Sequence, residues 1–203
     1  DVPFDSANGL LGLWDVGLNS LYIQDCNALA EMANELGKKN EFEELVKRGK
    51  KYQKNLNRLW DEKTGIYRNK RTDNLEFSDR ISPTSFYPML TDAPDKRMIS
   101  RMLKEHFYNP DEFYGQWMIP AVPRNDTCFS KQDYWQGRIW GPLNFLVYLG
   151  LRRHHLIDPK KEILEKSKAI LLKNWREHHF VCENYNSVSG RGGEKGSASD
   201  PFY

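Results

Sequence analysis

The chain has 203 residues, 39% of them hydrophobic, which suffices for a sizeable core and excludes a disordered chain. Thirty basic residues against twenty-eight acidic ones leave a net charge of +2 spread along the chain, so nucleic acid is not an expected partner. The mean hydropathy is −0.75. The longest apolar run, Leu143–Leu151, is broken by Asn144, Tyr148 and Gly150 and falls short of the roughly 20 residues of a membrane helix, so no membrane partner is expected either.

From the N-terminus, Leu18, Leu21, Tyr22, Leu29, Met32, Ala33 and Leu36 keep the helical period, and Gly37 stands where a helix end favours a left-handed residue. Asn40 is then placed to cap a second helix, with Glu43 at the capping-box position. Phe42, Leu45, Val46, Gly49, Tyr52, Leu56, Leu59 and Trp60 share one face of it, and the Lys- and Glu-rich other face is solvated. Ser82-Pro83 opens a short helical turn with Phe86, Tyr87 and Leu90, and a helix carrying Met98, Ile99, Met102 and Leu103 follows Pro94. The stretch Trp140 to Leu151 reads as a helix apolar on nearly all sides, hence buried, followed by an amphipathic partner with Ile163, Leu164, Ser167, Ile170, Leu171 and Trp175. A buried helix followed by an outer amphipathic one, repeated, describes stacked helical hairpins and an all-α fold. Phe4-Asp5 with Gly9, Trp60-Asp61 with Gly65 and Tyr185-Asn186 with Gly190 form a small repeat. In each, the Asx side chain is expected to close onto its own backbone and the glycine to take a positive φ.

Two segments carry candidate chemistry. Tyr114 to Asn144 gathers Trp117, Tyr134, Trp135 and Trp140 among Pro120, Pro123, Gly115, Gly137 and Gly141, with Arg124, Asp126, Asp133 and Arg138 between them. Stiffened indoles can stack on the flat faces of a sugar while Arg and Asp supply bidentate polar contacts. The same composition would also serve a long loop glued to the body by its aromatics, and it leaves both readings open. The second segment is Cys182-Glu183-Asn184-Tyr185-Asn186, ahead of a Gly- and Ser-rich stretch, where a lone carboxylate reads as a solvated turn acid. The three cysteines are too widely separated for a disulfide framework, and Cys26 and Cys182 read as small buried groups. Adjacent histidines, His154-His155 and His178-His179, sit at helix C-termini and point too far apart to share a metal ion.

The stretches DVGLNSLYIQDCNALAEMANELG, SPTSFYPML, GQWMIPAVPRND, QDYWQGRIWGPLNFLVYLGL and ENYN resemble glycoside hydrolase family sixty-three. They are most similar to its bacterial mannosylglycerate and glucosylglycerate hydrolase-like members and, more distantly, to trehalases. YWQGRIWGPLNF is the most specific of the motifs, and it carries Gln136 where the family usually has Arg. The resemblance implies an (α/α)6 toroid, of which this chain holds about half the helices. It also implies an inverting exo-acting α-glycoside hydrolase of α-glucosidase or α-mannosidase type, with Glu183 as general base. The family's general acid is an Asp in a segment preceding Asp1. The chain, which does not begin with Met, is therefore expected to be one partial catalytic domain, residues 1–203, cut at both ends, with the missing N-terminal part of the same domain as its partner. Substrate contacts are implied for Phe86, Gln116, Trp117, Tyr134, Trp135, Arg138, Trp140 and Tyr185, while Asp15 and Asn19 brace an inner helix near the cleft. No metal or organic cofactor is implied. The alternatives are a catalytically silent carbohydrate-binding or scaffold module, and a trehalase- or debranching-type toroid hydrolase.

Overall fold

The computed structural model describes residues 3–179 and 181–193. In chain order it has β1 (Phe4–Asp5), β2 (Leu10–Leu11), β3 (Leu13–Trp14), α1 (Val16–Glu35), α2 (Lys39–Leu56), β4 (Trp60–Asp61), β5 (Ile66–Tyr67) and β6 (Lys70–Arg71). A 3-10 helix at Pro83–Leu90 follows, then α3 (Lys96–Arg101) running into a π-helical turn at Met102–Phe107, β7 (Ile139–Trp140), α4 (Gly141–Arg153), α5 (Ile157–His178) and β8 (Asn184–Tyr185). Helices form the body, and the Gly- and Ser-rich stretch beyond Gly193 lies outside the described residues. The strands, which helical periodicity could not reveal, pair only in twos among the described residues: β1 with β2, β3 with β6, β4 with β5, and β7 with β8.

The Asp15 carboxylate accepts from the Leu18 amide at 2.6 Å and so caps α1. Gly37, at φ +66°, ends that helix as expected, with the Gly37 amide donating to the Asn34 carbonyl at 3.0 Å and the Lys38 amide to the Ala33 carbonyl at 2.8 Å. This closure hands the chain directly to α2, which begins at Lys39 with no side-chain cap, so Asn40 lies inside the first turn instead of capping it. The helix stops at Leu56; Leu59 belongs to a short 3-10 turn and Trp60 to β4. Ser82 closes a capping box on the 3-10 helix, with proline in its first turn, and that helix is almost wholly buried where it packs between α1 and α4. The core gathers Val16, Ile23, Phe86, Met89, Phe107 and Val147.

Two apolar faces are broader than their packing. On α1, Ile23, Cys26, Ala30 and Ala33 are buried while Leu18, Leu29, Met32 and Leu36 stand exposed on another side. The expectation that α4 is buried all round is likewise corrected: Val147 and Leu151 are covered, but Phe145 is 58% exposed. The reason is that α5 covers one side of α4 only, leaving an apolar groove of about 310 Å³ between them, lined by Phe145, Tyr148, Leu164 and Leu171.

The turn repeat takes the expected form three times. The side-chain oxygens of Asp5, Asp61 and Asn186 accept the amides of Ala7 (3.0 Å), Lys63 (3.0 Å) and Val188 (2.9 Å). Gly9, Gly65 and Gly190 follow at φ +66°, +75° and +69°. Each turn reverses the chain within a few residues, the first joining β1 to β2, the second β4 to β5, and the third following β8.

Candidate active site

The β7–β8 pair sets Ile139 opposite Tyr185 and Trp140 opposite Asn184, bringing the YWQGRIW loop against the segment that holds Glu183. Gln132 adds a second bridge between them. In a left-handed conformation (φ +48°), its amide nitrogen donates to the Phe129 carbonyl at 2.8 Å, and its oxygen accepts from the Ser187 amide at 2.8 Å and hydroxyl at 3.1 Å. Arg138 is a third link: wholly buried, it donates to the Asn184 side-chain oxygen, the Gln132 carbonyl (3.2 Å) and the Arg191 carbonyl (3.3 Å). The loop from Gly115 to Arg138 and Glu183 therefore lie at the same end of the molecule.

Helix α5 anchors the far limb of the Asn186 turn. Its buried Asn174 donates to the Gly190 carbonyl at 2.8 Å and accepts the Gly192 amide at 2.8 Å. Beneath this limb, Tyr185 turns its hydroxyl back to accept the Cys182 amide at 3.1 Å, and burial raises the Cys182 thiol above its ordinary pKa, which suits a packed group and not a nucleophile. Glu183 is half-buried and has no hydrogen-bond or ion-pair partner among the described residues.

The expected contact residues divide by exposure. Trp135, 45% exposed, lies flat on buried Trp140 with ring centroids 3.8 Å apart and planes at 12°. Tyr134 meets Trp140 edge-on at 4.9 Å, and its carbonyl accepts the Trp140 indole N–H at 3.0 Å. Gln116 is exposed, and Trp117 is half-buried against the Gly190 turn. Phe86, Arg138, Trp140 and Tyr185 are buried, Phe86 between Phe107 and Phe113 at 6.1 and 5.3 Å. At the N-terminus of α1, Asn19 donates to the Asp15 carbonyl at 2.6 Å, and Asn69 accepts the Val16 amide at 2.8 Å while donating to the Asp15 carboxylate at 3.2 Å.

The residues that sequence reasoning missed are amides: Gln132, Asn144, Asn174 and Asn184. Asn144 grips both backbone groups of Ile119, accepting at 2.5 Å and donating at 3.0 Å. Asn174, one helical turn after Ile170, sat in view as a polar residue continuing an apolar stripe, a position that requires buried partners.

The helical body thus carries an aromatic wall and, at the same end, a carboxylate with no partner among the described residues. Residues 8–202 match the family described as "Mannosylglycerate hydrolase MGH1-like glycoside hydrolase domain", and the chain belongs to that family. It is 24% identical over 180 residues to the probable mannosyl-oligosaccharide glucosidase of Schizosaccharomyces pombe, covering 79% of this chain and 22% of that protein. It is 26% identical over 183 residues to the mannosylglycerate hydrolase of Rubrobacter radiotolerans, covering 88% and 39%. The crystal structure of the GH63 mannosylglycerate hydrolase of Thermus thermophilus in complex with glucose shares the fold, with a TM-score of 0.76 at 23% identity over 89% of this chain and 43% of that one. Neutral trehalase Nth1 of Saccharomyces cerevisiae shares it at a TM-score of 0.71 and 17% identity, covering 88% and 35%. The chain thus spans less than half the length of each of these proteins.

Proposed function

We propose that this chain supplies the general base and much of the sugar-binding wall of an inverting, exo-acting α-glycoside hydrolase whose substrate is a small α-glucoside or α-mannoside. Glu183 takes a proton from a water molecule as that water attacks the anomeric carbon from the face opposite the leaving group. A carboxylic acid in a part of the full polypeptide outside these residues protonates the leaving oxygen, with the two carboxyl groups about 6.5–9.5 Å apart to admit the water. The observation that carries this reading is the pairing of a half-buried Glu183, without a partner among the described residues, with the Trp135–Trp140 stack across the β7–β8 ladder. Tyr134, Trp135 and Gln116 present the contact surface, and buried Arg138, Trp140 and Tyr185 hold the wall behind it, while Phe86 packs in the main core between Phe107 and Phe113. The hairpins form about half of an (α/α)6 toroid. The exposed faces at Leu18, Leu29 and Met32 and at Phe145, Leu164 and Leu171 support this, because further hairpins would cover both.

The test is made in the full-length polypeptide. Glu183→Gln keeps the shape of the side chain but not its basicity, so kcat should fall by about 10³-fold or more with KM little changed. Trp135→Ala removes a face used in ground and transition states alike, so it should weaken binding by roughly 1–3 kcal/mol and raise KM. An active Glu183→Gln variant would overturn the assignment.

A further inference from the structure

We propose that Arg138 is a positioning residue for Glu183, aiming the carboxylate through Asn184 from within the protein; this rests on Glu183 being the base. Its guanidinium is wholly buried and gathers acceptors from three segments: Gln132 of the aromatic loop, Asn184 beside the carboxylate, and Arg191 on the return limb of the Asn186 turn. Asn184 is itself fixed in β8, opposite Trp140. Glu183 stands at the bend that leads into β8, so the link that holds buried Asn184 inward also fixes the backbone from which the half-buried Glu183 side chain projects. Glu183 has no partner of its own among the described residues, so its direction is inherited from this neighbour. The charge of Arg138 also acts on Cys182, on the other side of Glu183, opposing the burial that raises that thiol.

A planar fork that reaches several acceptors at once cannot be replaced by a point charge. Displacing a reacting group by about 1 Å can cost on the order of 10²-fold in rate. In the full-length polypeptide, Arg138→Lys should therefore lower kcat by about 100-fold while KM stays within about threefold, under conditions where circular dichroism shows the variant folded. Asn184→Ala breaks the same link from the other side and should reproduce the effect, which keeps the test intact should Arg138→Lys fail to fold. Combined with Glu183→Gln, neither change should reduce the residual rate further, since both act through the carboxylate. A raised KM with kcat retained would place Arg138 on the sugar and overturn the proposal. So would an unchanged kcat per folded molecule, which marks a purely structural role, or full additivity with Glu183→Gln. A Glu183→Gln enzyme that turns over normally would instead defeat the base assignment, a separate outcome.

Discussion

At the scale of single residues, buried polar groups are held by directional contacts that fix the loops around them. His106 is an example away from the candidate site: its Nδ1 meets the Glu112 carboxylate at 2.6 Å and its Nε2 meets the Thr64 carbonyl at 2.7 Å. Both neighbours are acceptors, so the protonated ring satisfies both. Burial alone would lower its pKa, but the bonds to Glu112 and Thr64 outweigh it and the net shift is upward. A raised folded-state pKa gives stability that is fully present below the unfolded value of about 6.5 and is lost as pH rises through the folded value. Urea unfolding across that range should show stability declining with rising pH. His106→Gln should remove that slope and cost about 2 kcal/mol at about pH 6.

At the scale of elements, the three Asx–Gly turns share a conformation but differ in surroundings. A Cβ on Gly9 would meet nothing within 4 Å, whereas one on Gly190 would lie 2.6 Å from the Trp117 ring. Gly9→Ala should therefore cost only the roughly 1–2 kcal/mol of left-handed strain. Gly190→Ala should cost more, and it should shift Trp117 emission in a fluorescence spectrum, which Gly9→Ala leaves unchanged. These turns were legible in the sequence because side-chain closure and positive φ are local requirements, as was the Gly37 helix end. The start of α2 was not, because a helix handed directly from the previous one needs no cap. The role proposed for Glu183 comes from family resemblance alone, since a lone acid among polar residues has no local signature. The amides that hold the segments on either side of it were invisible because their partners lie tens of residues away: 46 from Arg138 to Asn184 and 55 from Gln132 to Ser187.

At the scale of the molecule, the apolar stripes recorded more packing than this chain performs. Leu18 and Leu29 on α1, and Phe145 and Leu171 on the α4–α5 hairpin, belong to helical faces that periodicity marks as core, yet they stand exposed. The 203-residue chain expressed alone should consequently bind a hydrophobic dye and self-associate as its concentration rises, and it should not hydrolyse aryl α-glycosides. The full-length polypeptide should do neither of the first two. Analytical ultracentrifugation and dye fluorescence on the two forms check this, and a monodisperse, dye-silent 203-residue chain would contradict it.

The central claim, a water activated by Glu183 on the face opposite the leaving group, leaves a stereochemical record. Proton NMR of the first sugar released by the full-length polypeptide from an α-linked glucoside or mannoside, taken before mutarotation, should show the β anomer. The α anomer appearing first would mean that configuration is retained, and it would contradict the account.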